Sequence, residues 1–216
     1  TLNWTKDTTG FKAYNIGSCH IDVDIQGFKK GLELHGNGGG CQYNTIYLKT
    51  LYNNQENLRY VAGENGGWVN QNTVLGGRFG WQSGLNYSNS IHVNMVQIST
   101  HKINNNNFYG VSFECADTIN KGGKACIING FHNAFYDCRY EGIKYIEFAV
   151  GSNFNTVENG YELHEVEVIG LLSNNQNVVN HRNTKRFIGA SSNKTTNVFK
   201  NTFSNTARAL SVENNA

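Results

Sequence analysis

Apolar residues in this chain alternate with polar ones over short runs and never form a helical stripe. In His20-Ile21-Asp22-Val23-Asp24-Ile25 and again in Glu165-Val166-Glu167-Val168, every second residue is apolar. That is the period of a half-exposed strand. The longest apolar stretches, such as Val168-Ile169-Gly170-Leu171-Leu172, run four to five residues, too short for a membrane-spanning helix.

A longer period lies over this alternation. Asn, then a small or polar residue, then an apolar one recurs at Asn44-Thr45-Ile46, Asn72-Thr73-Val74, Asn89-Ser90-Ile91 and Asn106-Asn107-Phe108. It continues at Asn133-Ala134-Phe135, Asn155-Thr156-Val157, Asn177-Val178-Val179 and Asn201-Thr202-Phe203, with a weaker copy at Asn15-Ile16-Gly17. The intervals are 29, 28, 17, 17, 27, 22, 22 and 24 residues, and the two short ones together make one long repeat. Three copies align further. Asn106–Glu114 matches Asn133–Glu141 without gaps, and the same frame fits Asn72–Gly80, with an aromatic residue seven positions after each Asn.

A repeat of this length made of short strands predicts an all-β parallel β-helix, a solenoid of about eight to nine coils. Successive coils then lie about 4.8 Å apart. Asn at the same bend of each coil is expected to form a side-chain amide ladder and to tolerate a left-handed backbone. Phe108, Phe113, Phe135 and Tyr140 are expected to stack inward.

Composition sharpens this reading. Of 216 residues, 34 are Asn, 24 are Gly and none is Pro. Asn and Gly are poor helix residues, which excludes a helical bundle, and 26 aromatic residues exclude a disordered chain. Proline is absent as expected where nearly every strand N–H pairs with a neighbouring coil. The net charge of +2, with no basic block, argues against a nucleic-acid partner. Cys19, Cys41, Cys115, Cys126 and Cys138 show neither CxxC spacing nor an even count, so they read as small buried residues of a reduced chain. No metal site and no cofactor are predicted. Gly36–Gly40 lacks the Lys-Ser/Thr of a phosphate loop and reads as a flexible connection. The chain opens at Thr1 with no signal-peptide pattern, so residues 1–216 read as one β-helix domain of a longer protein.

The stretch Gly66-Gly67-Trp68-Val69-Asn70-Gln71-Asn72-Thr73-Val74-Leu75-Gly76-Gly77-Arg78-Phe79 resembles one common in bacteriophage tailspike and tail-appendage β-helices. The pairing of Val111-Ser112-Phe113-Glu114 with Cys138-Arg139-Tyr140-Glu141 resembles the same proteins. The resemblance covers roughly residues 20 to 150. It implies a right-handed, pectate-lyase-like β-helix that assembles as a homotrimer beside other phage tail proteins in the virion tail. It also implies binding, and often cleavage, of bacterial surface polysaccharide. The chain is shorter than such proteins, with no recognisable particle-binding head or C-terminal trimerisation part.

Strand parity suggests where chemistry sits. With Phe79, Phe113 and Tyr140 inward, their neighbours Arg78, Ser112, Arg139 and Gly80, Glu114, Glu141 face outward. Glu114 and Glu141 would then stand on consecutive coils about 5 Å apart, close enough that their ionisation is coupled. Such a pair suits acid and base, or acid and nucleophile, in glycoside hydrolysis. Arg139 is the expected substrate clamp and Arg78 a second cation. Asp137, in the bend between two strands, and Asp117, in a loop after Glu114, are substitute acids. Trp68, Trp81, Tyr87, Tyr109 and Tyr136 are read as outward or loop aromatics on which sugar rings stack. Asp22, Asp24 and the glutamates near Glu165 read as exposed strand faces. Three functions fit: a tailspike-type depolymerase, a non-catalytic receptor-binding or structural tail β-helix, and a calcium-dependent polysaccharide lyase built on Asp117, Asp137 and Arg139.

Overall fold

The computed structural model describes residues 6–84, 87–99, 102–116, 123–162, 166–170, 177–181, 184–188, 198–200 and 211–213. Among them there is no helix, and every strand pairing is parallel. Parallel neighbours need a crossover between them. Here each repeat supplies it by running through the other sheets before returning, an arrangement compatible with a β-solenoid.

One sheet of nine strands takes a strand from each repeat: Thr9–Tyr14, Lys30–Asn37, Glu56–Glu64, Ile91–Gln97, Lys124–Ile128, Tyr145–Phe148, Val166–Ile169, Thr184–Ile188 and Ser211–Glu213. A sheet of eleven strands faces it across the core, and a three-stranded sheet of Gly40–Gln42, Trp68–Asn70 and Ile103–Asn104 closes one side. In the larger sheet the first long strands, His20–Gln26 and Thr45–Tyr52, give way to pairs of short ones. These pairs are Thr73–Leu75 with Arg78–Trp81, Asn107–Tyr109 with Ser112–Cys115, and Ala134–Tyr136 with Arg139–Glu141. The long strand Thr156–Glu162 rejoins both halves. The break falls where the backbone goes left-handed, at Gly76, Gly110 and Asp137. Gly and Asp accept that conformation with little strain.

The expected inward residues are core. Phe108, Phe113, Phe135 and Tyr140 are fully buried. Phe108 stacks on Phe135 at 4.4 Å between centroids, and Phe113 on Tyr140 at 5.0 Å. Leu32, Leu58, Val93, Cys126, Ile146 and Val168 line up in register on the opposite sheet and are buried. Four of the five cysteines are buried, Cys19 is half-buried, and none is bonded to another.

The amide ladder is present. Asn44, Asn72, Asn106, Asn133, Asn155 and Asn177 are buried at one position of successive repeats. Each Nδ2 donates to the next Oδ1, over 2.8, 2.9, 3.0, 3.1 and 3.1 Å. Each of those Oδ1 atoms also accepts the preceding Asn's backbone N–H. Each Nδ2 reaches a main-chain carbonyl as well: Ile16, Cys41, Val69, Asn129, Gly130 and Ser152 in order. A buried amide left unpaired would be strongly unfavourable, and here both ends of every amide are engaged.

Three expectations about the repeat need correcting. Asn89 is exposed and outside the ladder, so Asn72 passes directly to Asn106 across one long repeat of 34 residues. Asn15 is not a ladder member either; it pairs with Asn37 through Nδ2 and Oδ1. Asn201 lies outside the described residues. The left-handed residue is not the ladder Asn but the one before it: Tyr43, Gln71, Asn105, His132 and Phe154 all have positive φ. The ladder Asn points its side chain inward, where the amide has partners, so the bend falls one residue earlier.

Gly36–Gly40 is not a flexible connection. Gly36 and Gly40 lie within strands, and a Cβ on Gly36 would sit 2.3 Å from the Trp68 carbonyl oxygen. At Gly40 it would sit 2.0 Å from the Trp68 indole nitrogen. Both glycines therefore make room for Trp68. Asp22 and Asp24 are exposed as expected. Glu167, expected on an exposed face, is 5% exposed, because its strand is paired on both sides and Tyr145 stands beside it in register.

The outer face of the nine-stranded sheet carries a charge network with no local signature in the sequence. Lys12, Glu33 and Arg59 stand in register on three neighbouring strands. The buried Glu33 carboxylate receives Lys12 at 2.6 Å and His35 Nδ1 at 3.2 Å, with Arg59 Nε at 3.5 Å. His35 Nε2 reaches Glu64 at 2.5 Å. Burial alone would raise the Glu33 carboxyl, but the Lys12 hydrogen bond and charge, with His35 and Lys30, outweigh it and hold it below the ordinary glutamate range.

Two measurements follow from this architecture. Asn106→Ala removes a central amide and strands its partners on Asn72 and Asn133, so urea unfolding should show a loss of about 3 kcal/mol. An unchanged midpoint would mean that the ladder is incidental. Glu33 titrates below its unfolded value, so its contribution is complete at neutral pH and fades as pH falls through the folded value. The thermal midpoint of Glu33→Gln should therefore fall less steeply than wild type between about pH 6 and about pH 3.

Candidate functional site

The outward columns of the eleven-stranded sheet follow from strand parity and the ladder register. Ser112 pairs with Arg78 on one side and Arg139 on the other, and Glu114 pairs with Gly80 and Glu141. Gly80 lies in register with Tyr52, whose ring occupies the space a side chain at Gly80 would need, 2.7 Å from its Cβ position. Arg78, Glu114 and Glu141 thus come to line one cleft of about 160 Å³ with Tyr52, Trp81, Cys115 and Ala116.

Arg139 governs the cleft's charge. Its Nη1 donates to Glu114 Oε1 at 3.0 Å, and its Nη2 donates to Glu141 Oε2. Arg78 Nη1 lies 3.6 Å from Glu114 Oε2 and its guanidinium rests 5.2 Å from the centre of the Tyr52 ring. Glu114 and Glu141 are thus brought onto adjacent strands, with a guanidinium bonded to both. Two cations and two carboxylates balance within the cluster. Arg78 is the more open cation, with 48% of its side chain exposed against 30% for Arg139.

The other expected residues divide. Tyr109 and Tyr136 face outward in register and stack at 5.3 Å with an interplanar angle of 17°. Tyr109 is exposed and Tyr136 half-buried. Burial, followed by the charges of Tyr109 and Glu158, raises the Tyr136 phenol, so it is a neutral hydroxyl at physiological pH. Trp68 is half-buried in the three-stranded sheet and donates its indole N–H to Gln42 Oε1 at 2.7 Å. Asp137 is an exposed residue in the left-handed bend, the position at which other repeats use Gly76 and Gly110. Asp117 lies outside the described residues.

Trp81 and Tyr87 are not outward. Both are essentially fully buried, and their rings stack at 5.0 Å. The Trp81 indole N–H donates to the Asn54 carbonyl at 2.8 Å, and its ring lies 3.6 Å from His92. His92 is fully buried and bonded to Asn57 Nδ2 at 2.6 Å. Burial holds it well below the usual histidine range, outweighing the opposite pull of the Glu114 main-chain carbonyl, so it stays neutral. The polar, Gly-containing sequence Gln82-Ser83-Gly84 reads as a loop, and that reading misplaces the flanking aromatics, which the same segment folds inward.

Among the described residues no group of three or more His, Cys, Asp or Glu is placed to hold a metal ion. Comparison with protein families, curated proteins and solved structures returns no match.

The bridging role of Arg139 is open to measurement. Arg139→Met leaves Glu114 and Glu141 as like charges in register, which is destabilising in a sheet. At low salt and neutral pH the variant should lose about 1 kcal/mol, and added salt should recover part of it by screening the repulsion. A loss indifferent to salt would mean that Arg139 acts through packing instead.

Proposed function

We propose that this chain is a right-handed β-helix of eight to nine coils from a phage tailspike-type protein, and that its outer face binds a bacterial surface polysaccharide. The observation that carries the reading is the stacked, outward Tyr109–Tyr136 pair on the sheet that also presents the Arg78–Glu114–Arg139–Glu141 cluster. Sugar rings lie on aromatic faces through their C–H surfaces, while guanidinium and carboxylate groups hold hydroxyls or a sugar acid. Repeated strands about 4.8 Å apart set such groups in a row that suits a linear polymer. On this reading the chain works as a homotrimer in the virion tail.

A second reading is favoured by the register of Glu114 with Glu141: the same face cleaves the chain it binds, by hydrolysis. In the unliganded cluster Arg139 engages both carboxylates. A substrate carboxylate or hydroxyl entering the cleft competes for Arg139 and Arg78. One glutamate, released from its guanidinium, takes a proton from solvent and passes it to the glycosidic oxygen as the bond to the anomeric carbon breaks. The other carboxylate attacks that carbon, water then hydrolysing the glycosyl-enzyme, or takes a proton from the water that attacks it. Lyase chemistry through Asp117, Asp137 and Arg139 has less support, since Asp137 occupies a bend where its backbone conformation already explains it.

Incubation with a panel of purified capsular polysaccharides, followed by binding and chain-length assays, separates these readings. Tyr109→Ala and Tyr136→Ala should each weaken retention about three- to ten-fold. If hydrolysis occurs, Glu114→Gln and Glu141→Gln should each slow it by about a hundred-fold or more, and cleavage that survives both removes them as the acid pair. Retention with no new reducing ends leaves a receptor-binding protein. A calcium-dependent product absorbing in the ultraviolet identifies a lyase. Retention of no glycan refutes the proposal.

A further inference from the structure

Among the described residues the backbone goes left-handed just before each ladder Asn from Asn44 to Asn155, and in most repeats again near the middle of the larger sheet. At the second place the chain uses Gly76, Gly110, Asp137 and Asn159. These residue types enter the left-handed region most readily. At the first place it uses Tyr43, Gln71, Asn105, His132 and Phe154, and Ser18 takes the same place before Cys19, whose N–H donates to Asn44 Oδ1; their φ values lie between 53° and 58°. Among the described residues every other non-glycine residue of positive φ is Asn or Asp: Asn15, Asn53, Asn65, Asp137 and Asn159. The unfavourable choices all fall in one column.

That column is an exposed ridge beside the amide ladder. All six residues are exposed, Tyr43 at 54% and Phe154 at 44%. About half of the Tyr43 and Phe154 surfaces stays in contact with solvent, so the burial they add offsets the backbone strain only in part. The backbone demand is the same as at the other bend, where cheaper residues serve, so the fold does not require these side chains. Strain retained at an exposed position points to what the side chain presents outward. Apart from Ser18, what the ridge presents is planar, and it carries no carboxylate, ammonium or guanidinium group. It has phenol, imidazole and phenyl rings, the amides of Gln71 and Asn105, and a stacked His132–Phe154 pair with centroids 5.0 Å apart.

We infer that this ridge is a second polysaccharide-binding rail, separate from the Tyr109–Tyr136 face, on which an uncharged glycan lies parallel to the stacking direction. Rings would receive the apolar faces of successive sugars, and Gln71 and Asn105 their hydroxyls. The choice of ligand class rests on the function proposed above, whereas the selection of the ridge rests only on the contrast between the two bends.

The test uses a Tyr43→Asn, His132→Asn, Phe154→Asn triple variant, because Asn suits the left-handed backbone and leaves the ladder untouched. Its thermal midpoint should equal or exceed that of wild type, which secures the comparison. Wild type, this variant and a Tyr109→Ala, Tyr136→Ala variant are applied to an array of purified, uncharged capsular and O-antigen polysaccharides, and their masses are measured by sedimentation. The inference expects the ridge variant to be retained about ten-fold more weakly than wild type, at unchanged mass. Unchanged retention of the ridge variant, with weakened retention of the Tyr109/Tyr136 variant, overturns the rail and leaves the proposed function standing. Retention of no polysaccharide by wild type overturns both. A ridge variant whose mass falls below that of wild type shows the ridge to be a contact between copies of this chain, which also overturns the rail.

Discussion

The structure depends on a line of six buried asparagine amides. Each is shared between repeats twice, through its own amide and through the backbone N–H of the preceding Asn, so a repeat cannot slide without breaking both bonds and burying unpaired groups. Inside a low-dielectric core such groups are strongly unfavourable. A one-residue slip would also turn every side chain of the affected strands to the opposite face. The ladder thus fixes which residues enter the core and which face outward, a task that apolar contacts alone, being non-directional, perform loosely.

Once the register is fixed, surface chemistry follows from sequence as columns. Arg78, Ser112 and Arg139 form one, and Gly80, Glu114 and Glu141 the next. The ionic cluster of the cleft is therefore made by residues of three repeats that become neighbours only because the ladder spacing brings them into line; the Asn72-to-Asn106 step is 34 and the Asn106-to-Asn133 step is 27. The same logic on the nine-stranded sheet places Lys12, Glu33 and Arg59 together, alternating in sign across three strands. Glu33 tolerates burial because its neighbours in register are cations. A one-residue shift of the register would set it opposite Phe11 or Ala13 on one side and Leu58 or Tyr60 on the other.

Much of this was legible in the sequence because stacked repeats turn a spatial relation into an interval. The Asn-x-apolar frame identified all six described ladder members. The gapless match of Asn106–Glu114 with Asn133–Glu141 is the register of Ser112 with Arg139 and Glu114 with Glu141. The failures have physical causes. Asn89 fits the triplet, but it lies in the insertion that lengthens one repeat, where nothing constrains an Asn to point inward. Trp81 and Tyr87 flank a stretch of loop-like composition, and only the tertiary fold shows both rings buried, Trp81 on His92 and Tyr87 on Trp81. The Glu33 network depends on intervals of 21 and 26 residues between three residues of no repeated motif. The position of the bend was misread by one residue, since composition registers that Asn is frequent near the turn but not which side of it the amide needs.

Where the backbone sets the same condition in every repeat, residue choice becomes informative in a way that it is not elsewhere in the molecule. Ladder positions are Asn because no other side chain both accepts and donates with that reach. Core positions vary among Val, Phe and Ile because burial is satisfied by any of them that fills the space. At the bends inside the larger sheet, Gly, Asp and Asn answer the conformational demand and nothing more. The ridge before the ladder meets that demand with Tyr, Gln, His and Phe, which fit it worse. Folding would not select them there over Asn, which the chain uses in abundance and which occupies the same column at Asn105. The ridge and the cleft are therefore distinguished from the rest of the surface on different grounds: the cleft by the side chains it brings together, and the ridge by a backbone demand that its side chains fit less well than Asn would.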